Sequence, residues 1–583
     1  MPYLCRRQLN KGPGRIIYKY TDTRLIINPA LKQLKHFTST LLKILSSAEK
    51  RKMGVLIIAD LVIGILDITF LGFLLLVISF YTKNNTSSAF LLRFFSPEKP
   101  LLLIGIFFLV FSLKNLMGYL LSAAQSSFFY GVSSRLSKQN IWHYLKDDYI
   151  SYITVNSSVL IRKISQQPIE FSNYILTNIQ QVISQGILIC CSIIGILWYH
   201  PSIFLILFLL LLPPVIILAW FIRKKLKHIR AGTKITSEKS IQHLQESLSG
   251  FIESNIYEKN EFFVDRFYHD QRRLNENIAT QQTLQSLPAR LIEIFAILGF
   301  FILVSLNQWS AQSPFVDVLT IGVFMAAAYK IIPGIVKILN STGQIKTYEF
   351  VLKDLVPLHP PQSHTTLAVS EQITSVKFDH VGFNYQAQQV LKDFSFEMVP
   401  GNFVGISGKS GLGKTTIVNL MLGFLLQEEG RVSINRQPLD AKERQRYWNR
   451  ISYVKQQPFF INDSILKNIT LSDNGYDAER LAAVLSFSGA DRMLAQYPEG
   501  IHQQIRENGK NISGGQRQRI MLARALYADF DLLILDEPFS EMDETAEREI
   551  LIQLQSLTKK GKMIFMITHH KSSLDFCNKI IAL

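Results

Sequence analysis

Six long apolar stretches crowd into the first 345 residues, at approximately 53–80, 101–124, 177–198, 201–221, 288–306 and 315–339. Each is long enough for a helix of about 20 residues through a hydrocarbon layer ~30 Å thick. Lipid gives a backbone amide no partner, so a spanning segment is a helix or a strand of a closed barrel. Apolar runs this long read as helices. The third is the most polar, with Gln180, Gln181 and Gln185 in its first turns. Those turns are expected against protein or below the membrane.

Connection lengths add a second constraint. The links after the first, third and fifth stretches are about 20, 2 and 8 residues; those after the second and fourth are about 52 and 66. Both long links keep a helical period, as in Ile241, Leu244, Leu248 and Ile252. A helix of about 25 residues is nearly 40 Å long, so spanning helices are expected to run on into the cytoplasm, turn and return. The turns, around Asp147-Asp148-Tyr149 and around Tyr257 to Glu261, are expected to touch a soluble domain. A helix over Phe37 to Lys52, with Phe37, Leu41, Leu42, Ile44 and Leu45 on its apolar side, suits the membrane interface.

The formal charge of +17 admits nucleic acid as a partner. Its distribution argues for a membrane instead. Twelve Lys/Arg lie in residues 1–52 and eleven in 222–286, both beside apolar runs, the pattern of a cytoplasmic face. Both termini are therefore placed inside. The first 15 residues lack an apolar core with a small-residue cleavage site, so the first spanning helix is expected to direct insertion. Four cysteines, Cys5, Cys190, Cys191 and Cys577, show no metal spacing and no disulfide framework. Cys190 and Cys191 are read as packing residues.

The character changes after residues 353–370, where Pro357, Pro360 and Pro361 block helix continuation. The expected domains are a basic extension over 1–36, a transmembrane domain with its interfacial helix over 37–352, this linker, and an α/β domain over 371–583. Val376-Lys377-Phe378 and Val381-Gly382-Phe383 begin an antiparallel portion. Gly408 to Thr416 fits G-x-x-x-x-G-K-[ST] between a strand, Phe403 to Ser407, and a helix, Thr416 to Leu425. Glycines let amide groups turn inward around a phosphate, and a helix N-terminus favours negative charge. Lys414 would reach the β/γ-phosphates and Thr415 would hold Mg²⁺. Leu532 to Leu535 reads as a strand buried on both faces, ending in Asp536 for Mg²⁺ and Glu537 to polarise water. Ser513-Gly514-Gly515, before a helix, exposes amide groups that bind anions. One site does not need two phosphate-gripping turns, so the second is read as serving nucleotide on another copy.

These motifs together resemble the ABC transporters of the exporter type, with six membrane helices fused to one nucleotide-binding domain; the resemblance covers about residues 37–583. It implies a multidomain membrane protein: an all-α six-helix transmembrane domain with long intracellular extensions, plus an α/β P-loop ABC nucleotide-binding domain. On that resemblance Gly408, Ser410, Gly411, Gly413, Lys414, Thr415 and Thr416 form the Walker A loop, and Tyr385 stacks on adenine. Gln456 is the Q-loop glutamine that senses Mg²⁺, and Ile512 to Gln516, with Ser513, Gly514, Gly515 and Gln516, is the signature. Asp536 is the Walker B acid and Glu537 the catalytic glutamate. Asp543 lies in the D-loop, His569 is the switch histidine, and Glu507-Asn508-Gly509 touches the partner's intracellular loops. Ile512, Lys455, Arg506 and the pair Glu541-Met542 depart from the common pattern (Leu, Pro, Gly and Ala-Leu). None deletes a catalytic group, which favours two competent sites in a homodimer; a heterodimer's intact subunit would look the same. The cofactors implied are ATP and Mg²⁺.

Within the family the chain resembles bacterial flippases for lipid-linked oligosaccharides, on Ile44 to Ser47, Leu287 to Glu293, Tyr329 to Pro333 and a short outer segment, Ser88 to Phe95. The expected partners are a second copy of the chain, the bilayer and an amphipathic or lipid-linked substrate, not nucleic acid; the expected location is a bacterial inner membrane. A lipid A or glycerolipid flippase, a multidrug or peptide exporter, and an ATP-gated channel or regulatory ABC protein are the alternatives. Ionisable residues inside spanning helices cost roughly 2.5–3.5 kcal/mol each. Asp60, Asp67, Lys114, Glu293, Lys330 and Lys337 are such residues. They either meet an anionic headgroup, for which Lys330 and Lys337 are placed, or pair to hold helices together.

Overall fold

The computed structural model describes residues 37–82, 100–146, 149–199, 201–309, 318–355, 371–385, 388–409 and 411–583. Ser88 to Phe95, Asp147, Asp148, Ser410 and the side chain of Lys330 lie outside that description. The chain divides into two compact units, Met1–Lys146 with Val155–Pro361, and Asp147–Thr154 with Gln362–Leu583.

The first unit is helical. Its long helices are α1 (Ser47–Thr82), α2 (Pro100–Leu145), α3 (Thr177–Tyr199), α4 (Pro201–Ser249), α5 (Asn260–Trp309) and α6 (Val318–Thr347). Each expected apolar stretch falls on one of them, except that residues 315–317 of the sixth lie outside the description. Among the described residues, Gly105–Leu145 and Ser157–Ile194 are long and apolar enough to cross a membrane. At 1.5 Å per residue α4, with 49 residues, is roughly 70 Å long. The long links are thus helical extensions, as their period implied. Leu244, Leu248 and Ile252 nevertheless lie exposed in the single chain.

The predicted helix over 37–52 is interrupted. Residues 37–44 are helical, and α1 starts afresh at Ser47. The reason is local: Ser46 Oγ accepts from the Glu49 amide at 3.2 Å while the Ser46 amide donates to Glu49 Oε2 at 2.8 Å. This reciprocal cap starts a helix where it sits. Leu41, Ile44 and Leu45 are buried; Leu42 is exposed.

The polar first turns of α3 lie against α6. Asn178 Nδ2 donates to Gln344 Oε1 at 2.7 Å, and Ser341 Oγ donates to Gln181 Oε1 at 3.0 Å. Side-chain bonds of this kind hold helices together where apolar contact gives little preference. The chain approaches α3 through two π-helical turns, Arg162–Gln166 and Phe171–Leu176. No periodicity announces them. Arg162 is fully buried there, 3.0 Å from Glu170 and 3.5 Å from Glu238, with its guanidinium over the Phe350 ring. Lys114 of α2 pairs with Asp67 of α1. Glu293 is exposed, 3.8 Å from Arg290. Lys337 is exposed, and no ion pair is found for it among the described residues. Cys190 and Cys191 are exposed, so the packing role read for them is corrected.

The second unit has two sheets. Strands β1 (Val376–Tyr385), β2 (Gln388–Met398), β4 (Glu429–Ile434) and β5 (Gln437–Pro438) form an antiparallel sheet in the order β2-β1-β4-β5. Strands β3 (Phe403–Ser407), β6 (Ile451–Val454), β7 (Leu532–Asp536), β8 (Met563–Ile567) and β9 (Lys579–Ala582) form a parallel sheet in the order β6-β7-β8-β3-β9. Alternate residues of the parallel strands serve two cores. Leu533, Leu535, Ile564 and Met566 enter one; Leu532, Ile534, Met563 and Phe565 enter the other. This is why β7 needs an unbroken aliphatic run. The short helix Tyr149–Thr154 belongs to this unit, where the Tyr149 ring stacks on Phe424 at 4.9 Å. Tyr257, at the other expected turn, is exposed.

Candidate nucleotide site

Strand order builds the site. β7, β8 and β3 are neighbours, with Asp536 and Ile406 both registered on Ile567. The carboxyl ends of these strands therefore lie side by side, and so do the residues that follow them. In open parallel sheets that edge is where ligands bind.

After β3 the chain turns through Gly411 and Gly413, with φ of +87° and +89°. A Cβ on Gly413 would lie 2.7 Å from Val390 Cγ1, so only glycine fits there. The helix α7 runs Lys414–Met421, two residues earlier at its start than the predicted Thr416 and four earlier at its end than Leu425. It stops because the amides of Phe424 and Leu425 both return to the Asn419 carbonyl and Gly423 adopts φ +73°. Lys414 and Thr416 are buried, while Thr415 faces out on the first turn. Gly408 contributes its carbonyl, 2.7 Å from Lys414 Nζ.

Four motif residues meet at this edge. Lys414 Nζ lies 2.7 Å from His569 Nε2. His569 Nε2 lies 3.0 Å from Glu537 Oε1, and Gln456 Nε2 donates to Glu537 Oε2 at 2.7 Å. Glu537 has φ of +51°, a conformation unusual for a side-chain-bearing residue, and its amide donates to the Ile567 carbonyl at 3.0 Å. Backbone strain of this kind collects where a side chain must be aimed. Asp536 is 3% exposed. Burial, with the adjacent Glu537 charge, pushes its carboxyl up to about 6. Tyr453 Oη donates to Asp536 Oδ2 at 3.4 Å, and its own hydroxyl is shifted upward by burial and by that carboxylate. No motif singles out Tyr453; its place on β6 beside β7, registered on Ile534, is the available signal.

The remaining expected residues sit elsewhere in the unit. Tyr385 ends β1, exposed and edge-on to Phe383. Ser513 caps α8 (Gly514–Tyr527) reciprocally with Gln516: the Ser513 amide donates to Gln516 Oε1 at 2.9 Å, and the Gln516 amide to Ser513 Oγ at 3.4 Å. The Arg517 amide returns to the Ser513 carbonyl. Among the described residues, no partner is found for the amides of Gly514 and Gly515, which remain for an anion. Asp543 caps α9 (Glu544–Lys559), accepting from the Ala546 amide at 2.8 Å. Ile512 is buried, as the leucine it replaces would be.

A buried acid able to hold a cation, a glycine cradle that a Cβ would fill and a lysine at a helix start fit a magnesium nucleotide. The class is a phosphate-loop nucleotide-binding domain joined to a helical membrane domain. Residues 391–540 match the family described as ABC transporter, and residues 53–328 match the ABC transporter transmembrane region. The chain belongs to the ABC transporters, with the membrane region and the nucleotide-binding region of that family in one chain. Its cofactor is ATP, with Mg²⁺ the usual partner ion of such domains.

Among similar proteins, the ATP-dependent lipid A-core flippase of Burkholderia pseudomallei (strain 1710b) is 26% identical over 403 residues, 67% of this chain and 66% of the relative. The chain thus spans just under two thirds of that relative's length. The flippase of the same name from Dechloromonas aromatica (strain RCB) is 29% identical, over 67% of this chain and 68% of its own. A putative export ATP-binding/permease protein of Rickettsia bellii (strain RML369-C) is 24% identical over 90% of this chain and 91% of its own. A bacterial Atm1-family ABC exporter with ATP bound shares the fold, with a TM-score of 0.76 and 18% identity over 92% of this chain and 94% of that one.

Proposed function

We propose that the chain is an ATP-driven flippase that moves an amphipathic lipid with a polar, sugar-bearing headgroup from the inner to the outer leaflet. The observation that carries the ATP part is the meeting of Lys414, Gln456, Glu537 and His569 at one sheet edge. Glu537 takes the proton of the attacking water, and Gln456 and His569 hold its carboxylate in place. Lys414 and the loop amides bind phosphate, and Tyr385 offers a ring to the base. Asp536, Thr415 and Gln456 would hold Mg²⁺, which supplies charge neutralisation on the transferring phosphoryl group. Ser513, Gly514, Gly515, Gln516 and Asp543 act on nucleotide held by a second copy of the chain, making a homodimer the working unit. Both nucleotide-binding domains face the cytoplasm of a bacterial inner membrane.

For the cargo we propose a lipid-linked oligosaccharide, supported by the motifs entering the first and fifth membrane helices and by the exposed Lys337, suited to an anionic headgroup. Lipid A-core is the second reading, favoured by the names of the relatives. The test reconstitutes the protein in proteoliposomes with either fluorescent lipid and reads sidedness with an impermeant modifying enzyme. ATP-dependent movement by the wild type, absent in Glu537→Gln, supports the flippase. Movement of lipid A alone replaces the oligosaccharide. Intact ATP turnover with neither lipid moved removes both cargoes.

A further inference from the structure

Glu541 lies over the signature turn. Its carboxylate stands so close to Gly514 that a Cβ on that glycine would overlap it, and a Cβ on Gly515 would lie 3.0 Å from the Glu541 carbonyl. The contact is organised. Arg517 Nη2 donates to Glu541 Oε2 at 3.0 Å, the Glu541 amide donates to Gln518 Oε1 at 3.1 Å, and Gln518 Nε2 donates to Ser540 Oγ at 2.9 Å. The side chain is nonetheless 47% exposed, so its one ion pair can be exchanged for water. Its negative charge stands beside the turn whose Gly514 and Gly515 amides, with the positive end of α8, favour an anion. A carboxylate there accepts from neither amide, and its charge repels a phosphate while it stays. It also holds Arg517, a nearby cation.

We propose that Glu541 is a charge latch on the signature turn: its carboxylate stands against the anion site and must move aside when the second copy presents its nucleotide. This rests on the two-copy reading above. The latch sets how much ATP is needed to close the sandwich, leaving phosphate capture by the loop around Lys414 untouched. A residue that merely braced the turn would have the opposite signature, since removing it would loosen the turn and raise the ATP requirement.

The test measures ATP turnover against MgATP concentration for the full chain in nanodiscs. Glu541→Gln keeps the shape and removes the charge; Glu541→Ala removes both. Both are expected to lower the half-saturating ATP concentration about 3- to 10-fold, the range of a charge at a helix N-terminus, with a smaller change in the plateau rate. An unchanged or raised half-saturation in Glu541→Gln, or its failure to fold, overturns the latch. Ser513→Arg separates the two layers. It should abolish turnover while a fluorescent ATP analogue still binds. If it turns over normally, the two-copy reading fails and takes the latch with it. If it is inactive and the Glu541 variants show no shift, the latch alone fails.

Discussion

Charges in the two units are disposed differently. In the membrane unit, buried or half-buried ions close on one another: Arg162 with Glu170 and Glu238, Lys234 with Asp354 at 2.7 Å, Arg135 with Glu49 at 2.6 Å, and Lys114 with Asp67. In the nucleotide unit, Lys414, His569, Glu537 and Gln456 also touch, but at an accessible rim, and Asp536 is buried with a tyrosine hydroxyl for company. The first arrangement sets charge against charge within the unit, although Arg162 Nε and Nη1 are buried without a hydrogen-bond partner. The second is completed by a ligand. A buried pair adds little net stability, because desolvation offsets its attraction, but removing one partner leaves an uncompensated charge. A site network can be opened at little cost, because its members are wanted elsewhere.

Five changes sharpen or break that contrast. The largest effect is expected for Glu537→Gln, which should lower ATP turnover about 10²- to 10⁴-fold while binding of an ATP analogue persists. Near-normal turnover would remove Glu537 from its role as base. Next, Arg162→Met should cost about 3–5 kcal/mol in unfolding of the membrane unit, with part recovered in the double variant with Glu170→Gln. A cost below about 1 kcal/mol would mean that the buried pair is not structural.

Asp536→Asn should act in the other direction, stabilising the nucleotide-free protein by about 2–3 kcal/mol at pH 7.5. The sign follows from a folded carboxyl raised from 3.8 to about 6. The folded state holds its proton more tightly, so ionisation costs stability as pH rises through that window, fully above 6 and not at all below 3.8. Chemical unfolding at pH 7.5 and pH 4 checks it, and an equal gain at both would refute the burial argument. The smallest stability change is expected for Lys337→Ala, within about 0.5 kcal/mol, yet lipid movement should fall more than ATP turnover. Lys114→Met, which strands Asp67, should show the reverse balance.

The local features of the chain are legible in its sequence alone. The six helices, the two-sided strand Leu532–Asp536 and the glycine turn before Lys414 follow from periodicity and turn chemistry, which act within a few residues of one another. The capping box Ser46/Glu49 is also written in the sequence, and apolar periodicity runs straight through it, which is why one helix is expected where two exist. What tertiary structure alone decides is who meets whom. The strand order β6-β7-β8-β3 gathers Gln456, Glu537, His569 and Lys414, which no local pattern relates. Packing bends the approach to α3 into π turns around Arg162, chooses Asp67 for Lys114, leaves Cys190 and Cys191 exposed, and lays Glu541 on Gly514. Backbone hydrogen bonding and side-chain periodicity are local and repeat. Pairing between distant segments depends on which surfaces bury one another, and a linear chain carries that only as a sum over every contact it will make.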